Sequence, residues 1–177
     1  MPLRPNDRDM MIRTIIGEAG NQTPEGQAAV AHVIMNRVAD GRWGANPSNV
    51  VTAPGQFEPW QTRAKELNSI SPNSTQYQNV GKIVDSVASG DDPDFTGGAT
   101  HFLNPKVVSS RTGGSVPTWA QGPSMTIGDH KFFAPDNPNY DGATAAIKAA
   151  IGAPAVADGG LSAIRAAINS PVDEIQQ

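Results

Sequence analysis

Two amphipathic segments open the chain and predict a pair of packed helices. From about Asp7 to Ala19, apolar side chains recur every three or four residues and form one stripe, as on the buried face of a helix. A second segment begins at Thr23, a suitable N-cap, with Pro24 at the first helical position, and runs to about Ala39. Its apolar stripe is wider than the first, so we expect the second helix to lie at the centre of the fold.

The middle of the chain alternates between a proline-rich stretch and a third helix. Residues 42–72 contain repeated Pro and Gly, which leaves room only for short helices near 48–52 and 61–67. An amphipathic pattern over about 74–89 then predicts a long helix that ends at Gly90.

A small β element and an alanine-rich tail complete the pattern. Residues 99–103 fit a short strand, and Gly128-Asp129 separates two extended halves in a way that is typical of a hairpin. The pattern predicts a mainly helical α+β domain over residues 7–140, with a small antiparallel β element. Residues 141–177 are rich in Ala and Gly and are predicted to form a helical tail packed on the same domain, with helices near 143–151 and 161–168.

Composition excludes several classes of function. Of the 177 residues 38% are hydrophobic, which suits one globular domain with a core. The formal net charge of -4 and the lack of a basic run argue against nucleic acid as a partner. No apolar stretch approaches the roughly 20 residues of a transmembrane helix, so no integral membrane segment is expected. The chain has no cysteine, which excludes disulfides and thiolate catalysis.

Glu18 is the first candidate for chemistry. On a helix it falls beside Met11 and Ile15, at the edge of the apolar stripe, and in the last turn, where the helix dipole disfavours an anion. Poor solvation and the dipole both raise the pKa of a carboxyl group, and a carboxyl group that is protonated near neutral pH can protonate a glycosidic oxygen. Helix geometry alone favours a simpler alternative, a glutamate that reaches into solvent.

The residues after Glu18 supply a second line of evidence. Glu18-Ala19 precedes a turn and then the run from Gly26-Gln27 to Asn36-Arg37-Val38. Ordered matches follow at Gly55-Gln56-Phe57, at 99–105, at Trp119 and at 127–132. Taken together, residues 11–133 resemble the spore cortex-lytic cell-wall hydrolase family, whose motif is Glu-Ala, a turn, and Gly-Gln-x-Ala-Val-Ala-x-Val-Ile-x-Asn-Arg-Val.

This resemblance implies a lysozyme/transglycosylase-like single domain and a peptidoglycan-degrading enzyme with Glu18 as its general acid. It implies cleavage of glycan strands between N-acetylmuramic acid and N-acetylglucosamine, with a 1,6-anhydro sugar left behind. One carboxyl group suffices for this chemistry, because the C6 hydroxyl of the muramic acid is the nucleophile. Ordinary glycosidases need a partner carboxyl group about 5–9.5 Å away. The resemblance implies no cofactor and no metal.

The chain departs from the family pattern after Phe57, where members commonly carry Ser or Thr and this chain has Glu58. The segment between Gly20 and Glu25 also differs, since members often show Gly-Glu-Pro there. If Glu58 lies opposite Glu18, a second carboxylate is available and hydrolysis by a water, as in a muramidase, becomes possible. A loop glutamate in solvent is the alternative, weighted equally.

Further candidates are residues whose side chains suit a sugar. Flat aromatic faces stack on sugar rings, and amides and imidazoles bind hydroxyl and acetamido groups. The candidate substrate-binding residues are Gln27, Gln56, Phe57, Glu58, Trp60, His101, Trp119 and His130. For Gln27 a helix-packing role comes first, Trp43 is assigned to packing, and His32 is expected in solvent.

Two other functions stay open. A zinc peptidoglycan endopeptidase would use His101, Asp129 and His130, but the chain lacks the tight histidine spacing of zinc enzymes. A non-catalytic wall-binding or virion structural protein would tolerate loss of Glu18.

The expected partner is the peptidoglycan glycan strand, and we expect a monomer. The expected place of action is the periplasm or cell wall. The first seven residues lack the apolar centre of a signal peptide. We therefore expect delivery by a phage particle or lysis system, or by a leader that this sequence does not contain.

Overall fold

Seven α-helices and three short strands make up residues 3–141, the part of the chain that a computed structural model describes. In chain order the elements are α1 (Pro5–Ala19), α2 (Pro24–Asp40), α3 (Pro47–Thr52), α4 (Glu58–Thr62), α5 (Ala64–Ser69), α6 (Thr75–Ser89), β1 (His101–Leu103), α7 (Pro105–Thr112), a 3₁₀ turn (Thr118–Ala120), β2 (Met125–Ile127) and β3 (His130–Phe133). The mainly helical α+β class is confirmed. The predicted tail, with its helices near 143–151 and 161–168, lies outside the described residues.

Helix α2 is the centre of the core, as its wide apolar stripe predicts. The Thr23 hydroxyl accepts a hydrogen bond of 3.3 Å from the Gly26 N–H, and Gly41 ends the helix in the left-handed conformation. Val30 and Ile34 are completely buried, and the helix packs against α1, α3, α6 and the sheet. Burial on several sides explains why apolar residues cover so much of its surface.

Helices α1 and α6 complete a three-helix core with α2. Their buried faces contribute Met11 and Ile15 from α1, and Val80 and Val84 from α6. The side chain of Ser74 caps α6 by accepting a hydrogen bond from the Tyr77 N–H. Within residues 3–141, no helix is long and apolar enough to cross a membrane.

The proline-rich stretch folds into three short helices where the sequence predicted two. Helices α4 and α5 are separated at Arg63, and both pack against α1. Helix α7 was not predicted. Asn104 caps it by accepting hydrogen bonds from the N–H groups of Lys106 and Val107, and none of its residues is buried.

The strands form an antiparallel sheet in the order β1-β3-β2. The predicted hairpin is confirmed, with Gly128 in its turn at a φ of 57°. Gln22 attaches this turn to the start of α2, because its Oε1 accepts a hydrogen bond of 3.0 Å from the Asp129 N–H and its Nε2 donates to the Asp129 carboxylate. The sheet is thereby held over the same end of the helical core that carries Glu18.

Candidate active site

Glu18 lies in the last turn of α1, with its side chain half-buried. Burial and, to a lesser degree, the negative charge of Glu58 raise the pKa of Glu18 to about 7, against the lowering effect of Arg63 and Arg37. A neutral carboxylic acid and its carboxylate are therefore both accessible near pH 7. This is the property that a group needs in order to give up a proton and take one back.

The end of α1 is fixed by hydrogen bonds to its last carbonyl groups. Gln27 is buried and donates from Nε2 to the carbonyl oxygens of Ala19 (3.2 Å) and Gln22 (3.4 Å). Arg63 donates from Nη2 to the Gly17 carbonyl oxygen at 3.0 Å. Gln27 thus connects the start of α2 to the end of α1. Its amide N–H groups already donate to backbone carbonyl oxygens near Glu18.

One wall beside Glu18 is formed by the segment that leads into α4. Phe57 has no exposed surface, so its ring lies in the core and offers no face to a sugar. Glu58 is exposed and accepts two hydrogen bonds from Arg111 of α7, at 2.7 and 3.1 Å. The Arg111 guanidinium holds the pKa of Glu58 below its usual range, so this carboxylate stays ionised.

Arg37 lies beneath this wall and connects it to the sheet. Its Nε donates to the Thr100 carbonyl oxygen at 2.7 Å, and its Nη1 donates to Gln56 Oε1 at 3.3 Å. Burial lowers the pKa of Arg37 to about 10, and the charge of Glu18 opposes that shift. The same guanidinium contributes to the lowered pKa of His101, after burial. Its charge therefore acts on groups on both sides of the site.

At the other side of the site lie four ring side chains, here called the aromatic row: Trp43, His101, Trp119 and Phe133. The His101 ring centroid is 4.9 Å from that of Trp119 and 5.7 Å from that of Trp43. Trp119 also meets Phe133 edge to face at 5.5 Å. Trp43, His101 and Trp119 keep part of their surface exposed, which suits a wall against which a sugar ring stacks.

Two further candidates are engaged elsewhere. The Trp60 indole donates from Nε1 to the Thr14 hydroxyl at 2.7 Å, and its ring packs against the core. His130 is only 5% exposed and lies against Phe102, with their centroids 5.4 Å apart. Burial lowers the pKa of His130, so the neutral imidazole is favoured.

The prediction that His32 is solvated was wrong. Its side chain is only 4% exposed, because the loop before β1 covers that side of α2 and sets the Phe95 ring edge to face against it. Asp94 organises this loop by accepting hydrogen bonds from Thr96, Gly98 and Asn36. In the described part of the chain, no group of three or more His, Asp and Glu side chains is arranged to hold a metal ion.

Sequence reasoning missed Arg111, because it missed the helix that carries it. The dipeptide Asn104-Pro105 was the available indication, since Asn is a favoured N-cap and Pro a favoured first helical residue. Arg63 also escaped notice, because the pattern does not show that an exposed arginine reaches the Gly17 carbonyl 46 residues earlier.

Comparison with known proteins shows one consistent similarity. A family model described as Cell Wall Hydrolase matches residues 21–133, a span that begins just after Glu18. The spore cortex-lytic enzyme of Halalkalibacterium halodurans is 32% identical over 127 residues, which are 72% of this chain and 34% of that protein. That of Bacillus cereus is 31% identical over 127 residues, or 72% of this chain and 44% of that protein. The chain thus spans less than half of the curated relatives it matches.

Solved structures show the same fold over a larger share of their length. The catalytic domain of the germination-specific lytic transglycosylase SleB from Bacillus anthracis superposes with a TM-score of 0.58 at 29% identity, covering 74% of this chain and 96% of that one. The catalytic domain of the Bacillus cereus SleB protein gives a TM-score of 0.57 at 28% identity, covering 75% and 92%. The predicted lysozyme/transglycosylase-like fold is therefore confirmed at the level of the catalytic domain.

Proposed function

We propose that this chain, which belongs to the cell wall hydrolase family, degrades peptidoglycan by cutting its glycan strands between N-acetylmuramic acid and N-acetylglucosamine, with Glu18 as the general acid. The observation that carries this is the half-buried carboxyl group of Glu18, whose pKa of about 7 makes it an acid at neutral pH. The similarity to a lytic transglycosylase catalytic domain supports the same reaction class.

The reaction requires one protein carboxyl group and the substrate's own hydroxyl. Glu18 gives its proton to the glycosidic oxygen as the bond from C1 of the muramic acid to that oxygen breaks. The C6 hydroxyl oxygen of the same sugar bonds to C1, and its proton passes to the Glu18 carboxylate. One C–O bond is broken, one is formed, the acid is regenerated, and no water is consumed. The product ends in a 1,6-anhydro sugar.

We assign Glu58 a charge effect and not the role of a second catalytic carboxylate. Both of its oxygens accept hydrogen bonds from Arg111. A second catalytic carboxylate would need a free oxygen to activate a water or to attack the sugar. Its depressed pKa also makes it a poor base. This arrangement favours the anhydro product over the reducing end of a muramidase.

For substrate contact we favour Trp119, His101 and Gln56. The two rings keep exposed surface in the aromatic row, and Gln56 is partly exposed at the wall next to Glu18. Gln27, Phe57, Trp60 and His130 are buried or already hydrogen-bonded inside the domain, and we assign them to support of the site.

The partner in this proposal is the peptidoglycan glycan strand, and the place of action is the bacterial wall. Delivery by a phage particle or lysis system, the monomeric state and the domain limits at residues 7–140 stay predictions.

The test is mass spectrometry of fragments released from purified sacculi. We expect anhydro-muramic ends from the native chain. Glu18→Gln should lose activity at least about a hundredfold, since general acid–base catalysis contributes about 10²–10⁴-fold. Glu25→Gln, a change at an exposed glutamate seven positions further on, serves as the control and should keep the native rate.

Other outcomes would replace the proposal in specific ways. Fragments with reducing ends would indicate hydrolysis by a water. Release of peptide stems that stops when a chelator is added would indicate a metal-dependent endopeptidase. Binding to sacculi without any release, by both the native chain and Glu18→Gln, would indicate a wall-binding module.

A further inference from the structure

We propose that Arg37 is a positioning residue for Glu18: it fixes the Gln56 wall and the strand of His101 beside the acid, and its charge stabilises the carboxylate that Glu18 becomes on giving up its proton. This inference rests on the proposed function, which assigns Glu18 the proton transfer. It adds to the site a residue that the sequence marks only as part of the motif Asn36-Arg37-Val38.

The first observation is how completely Arg37 is buried. Its side chain is 5% exposed, and its guanidinium carbon lies 5.0 Å from the Phe57 ring centroid and 5.2 Å from that of Trp43. The aromatic faces compensate in part for the water that the cation has lost. Removing a guanidinium from water costs enough free energy that a protein retains it only with close partners or a use for the charge.

The second observation is what Arg37 lacks. Arg13, the other buried arginine of the described residues, has a negatively charged partner: its Nε pairs with Asp9 at 2.8 Å, and its Nη1 donates to the carbonyl oxygens of Leu67 and Ile70. Arg37 donates only to two neutral oxygens, those of Thr100 and Gln56, and makes no ion pair within residues 3–141. The acidic group whose charge acts on it is Glu18.

The third observation is the mechanical path from Arg37 to Glu18. Gln56 begins the segment that leads to Pro59, and Pro59 packs directly on Gly17, the residue before Glu18. By holding the Gln56 amide, Arg37 anchors the far end of this segment. By holding the Thr100 carbonyl, it anchors the residue before β1, where His101 begins the strand. One side chain therefore sets the separation between the wall at Glu18 and the aromatic row.

The chemistry explains why a cation is useful there. Burial and the charge of Glu58 both favour the neutral form of Glu18. The neutral form suits the first proton transfer, to the glycosidic oxygen. The same bias disfavours the carboxylate that Glu18 must become before it accepts the proton of the C6 hydroxyl. Two positive charges offset that bias without donating a proton themselves, since a guanidinium stays protonated: Arg63, which has the larger effect on the pKa of Glu18, and the buried Arg37. Both halves of the cycle then become accessible at one pH.

The experiment follows the titration of Glu18 directly, by carbon NMR of glutamate carboxyl groups, with the Glu18 resonance identified by its loss in Glu18→Gln. Four proteins are compared: the native chain, Arg37→Gln, Arg37→Lys, and Arg42→Gln as the matched control. Arg42 also stacks on Trp43, at 4.6 Å, but it is exposed and paired with Asp40 and Asp136.

In Arg37→Gln the titration midpoint of Glu18 should rise, because the positive charge of Arg37 lowers the pKa of Glu18 in the native chain. Arg37→Lys keeps the charge, so its midpoint should stay near the native value, while release of fragments from sacculi falls because a lysine cannot hold Thr100 and Gln56 together. Arg42→Gln should change neither quantity.

A folded Arg37→Gln protein with an unmoved midpoint, or Arg37→Lys with the native rate, would overturn the inference. Should Arg37→Gln fail to fold, Arg37→Lys decides the matter by the same two readouts. The NMR result stands even if the native chain releases no glycan fragments, in which case the proposed function fails and the coupling of Arg37 to Glu18 is still measured.

Discussion

Gly17 of α1 and Pro59 of α4 are in such close contact that a side chain on Gly17 would place its Cβ 2.9 Å from the Pro59 Cβ. The same Cβ would lie 3.0 Å from a methyl carbon of Leu67 in α5. The absence of a side chain therefore lets α4 and α5 pack directly on the turn of α1 that carries Glu18. The glycine is required by this close approach, since its backbone is helical.

Gly17→Ala should for this reason lower the free energy of unfolding, although a Gly→Ala change within a helix usually raises it. In an open helix the change stabilises by up to about 1 kcal/mol. Here proline ring atoms cannot move aside without shifting α4, and overpacking of this kind costs about 1–3 kcal/mol. Urea unfolding measures the loss. Gly122→Ala, where a new Cβ meets nothing within 4 Å, is the control, and an equal effect of the two changes would contradict the explanation.

Glu58→Gln should move the pH dependence of activity to lower pH. The negative charge of Glu58 raises the pKa of Glu18, so its removal lowers that pKa, and Glu18 then loses its proton at lower pH. The alkaline limb of the rate profile follows. Because Glu58 is exposed, the shift should be small and should shrink as salt increases.

The products of Glu58→Gln are as informative as its rate. If Glu58 contributes only charge, the fragments still end in anhydro-muramic acid. A variant that is inactive at every pH would show instead that Glu58 takes part in catalysis. Glu25→Gln is the control for the loss of an exposed carboxylate.

Trp119→Ala should weaken substrate binding more than it slows the chemical step. The ring lies in the aromatic row and keeps exposed surface, and stacking on an aromatic side chain contributes about 1 kcal/mol or more, so we expect a several-fold higher KM for solubilised glycan fragments. Trp119→Phe should restore part of the affinity.

Trp60→Phe provides the contrast, because it also removes an indole. Its N–H bonds to Thr14 inside the domain, so the expected effect is a lower Tm with KM unchanged. A rise in KM for Trp60→Phe that matches Trp119→Ala would place Trp60 on the substrate side.

The helical core could be predicted from the sequence because its information is local. Apolar periodicity gave α1, α2 and α6, and the pairs Thr23-Pro24 and Gly128-Asp129 gave a helix start and a hairpin turn. The position of Glu18 at the edge of an apolar stripe left two readings open, a raised pKa and a glutamate in solvent, and the family resemblance favoured the first, which agrees with the direction of the shift.

The surroundings of Glu18 could not be read in the same way, because they depend on contacts between distant segments. Arg111 reaches Glu58 across 53 positions, and Arg37 reaches Thr100 across 63. His32 was misjudged for a related reason, since a loop from another part of the chain covers its side of α2. Helical periodicity assigns a residue to a face but does not show what covers that face.

The final prediction concerns the free energy of unfolding, and it depends on the sign of the Glu18 shift. Glutamate has an ordinary pKa of 4.5, and burial raises that of Glu18 in the folded chain to about 7. Below the ordinary value the group is protonated in both states and contributes nothing. As the pH rises between the two values, the unfolded chain ionises first, so stability falls, and the full cost is reached above the folded value.

Glu18→Gln removes this cost, because an amide is neutral at every pH. We expect the variant to match the native chain at pH 4 and to exceed it at pH 8 by about 3 kcal/mol, from about 1.4 kcal/mol for each pH unit between 4.5 and about 7. Urea unfolding at the two pH values measures the difference, and comparison within one pH cancels the other titrating groups. Equal stability of the two proteins at pH 8 would mean that Glu18 is well solvated and has an ordinary pKa, so that its carboxyl group would be ionised at neutral pH and could not act as the acid.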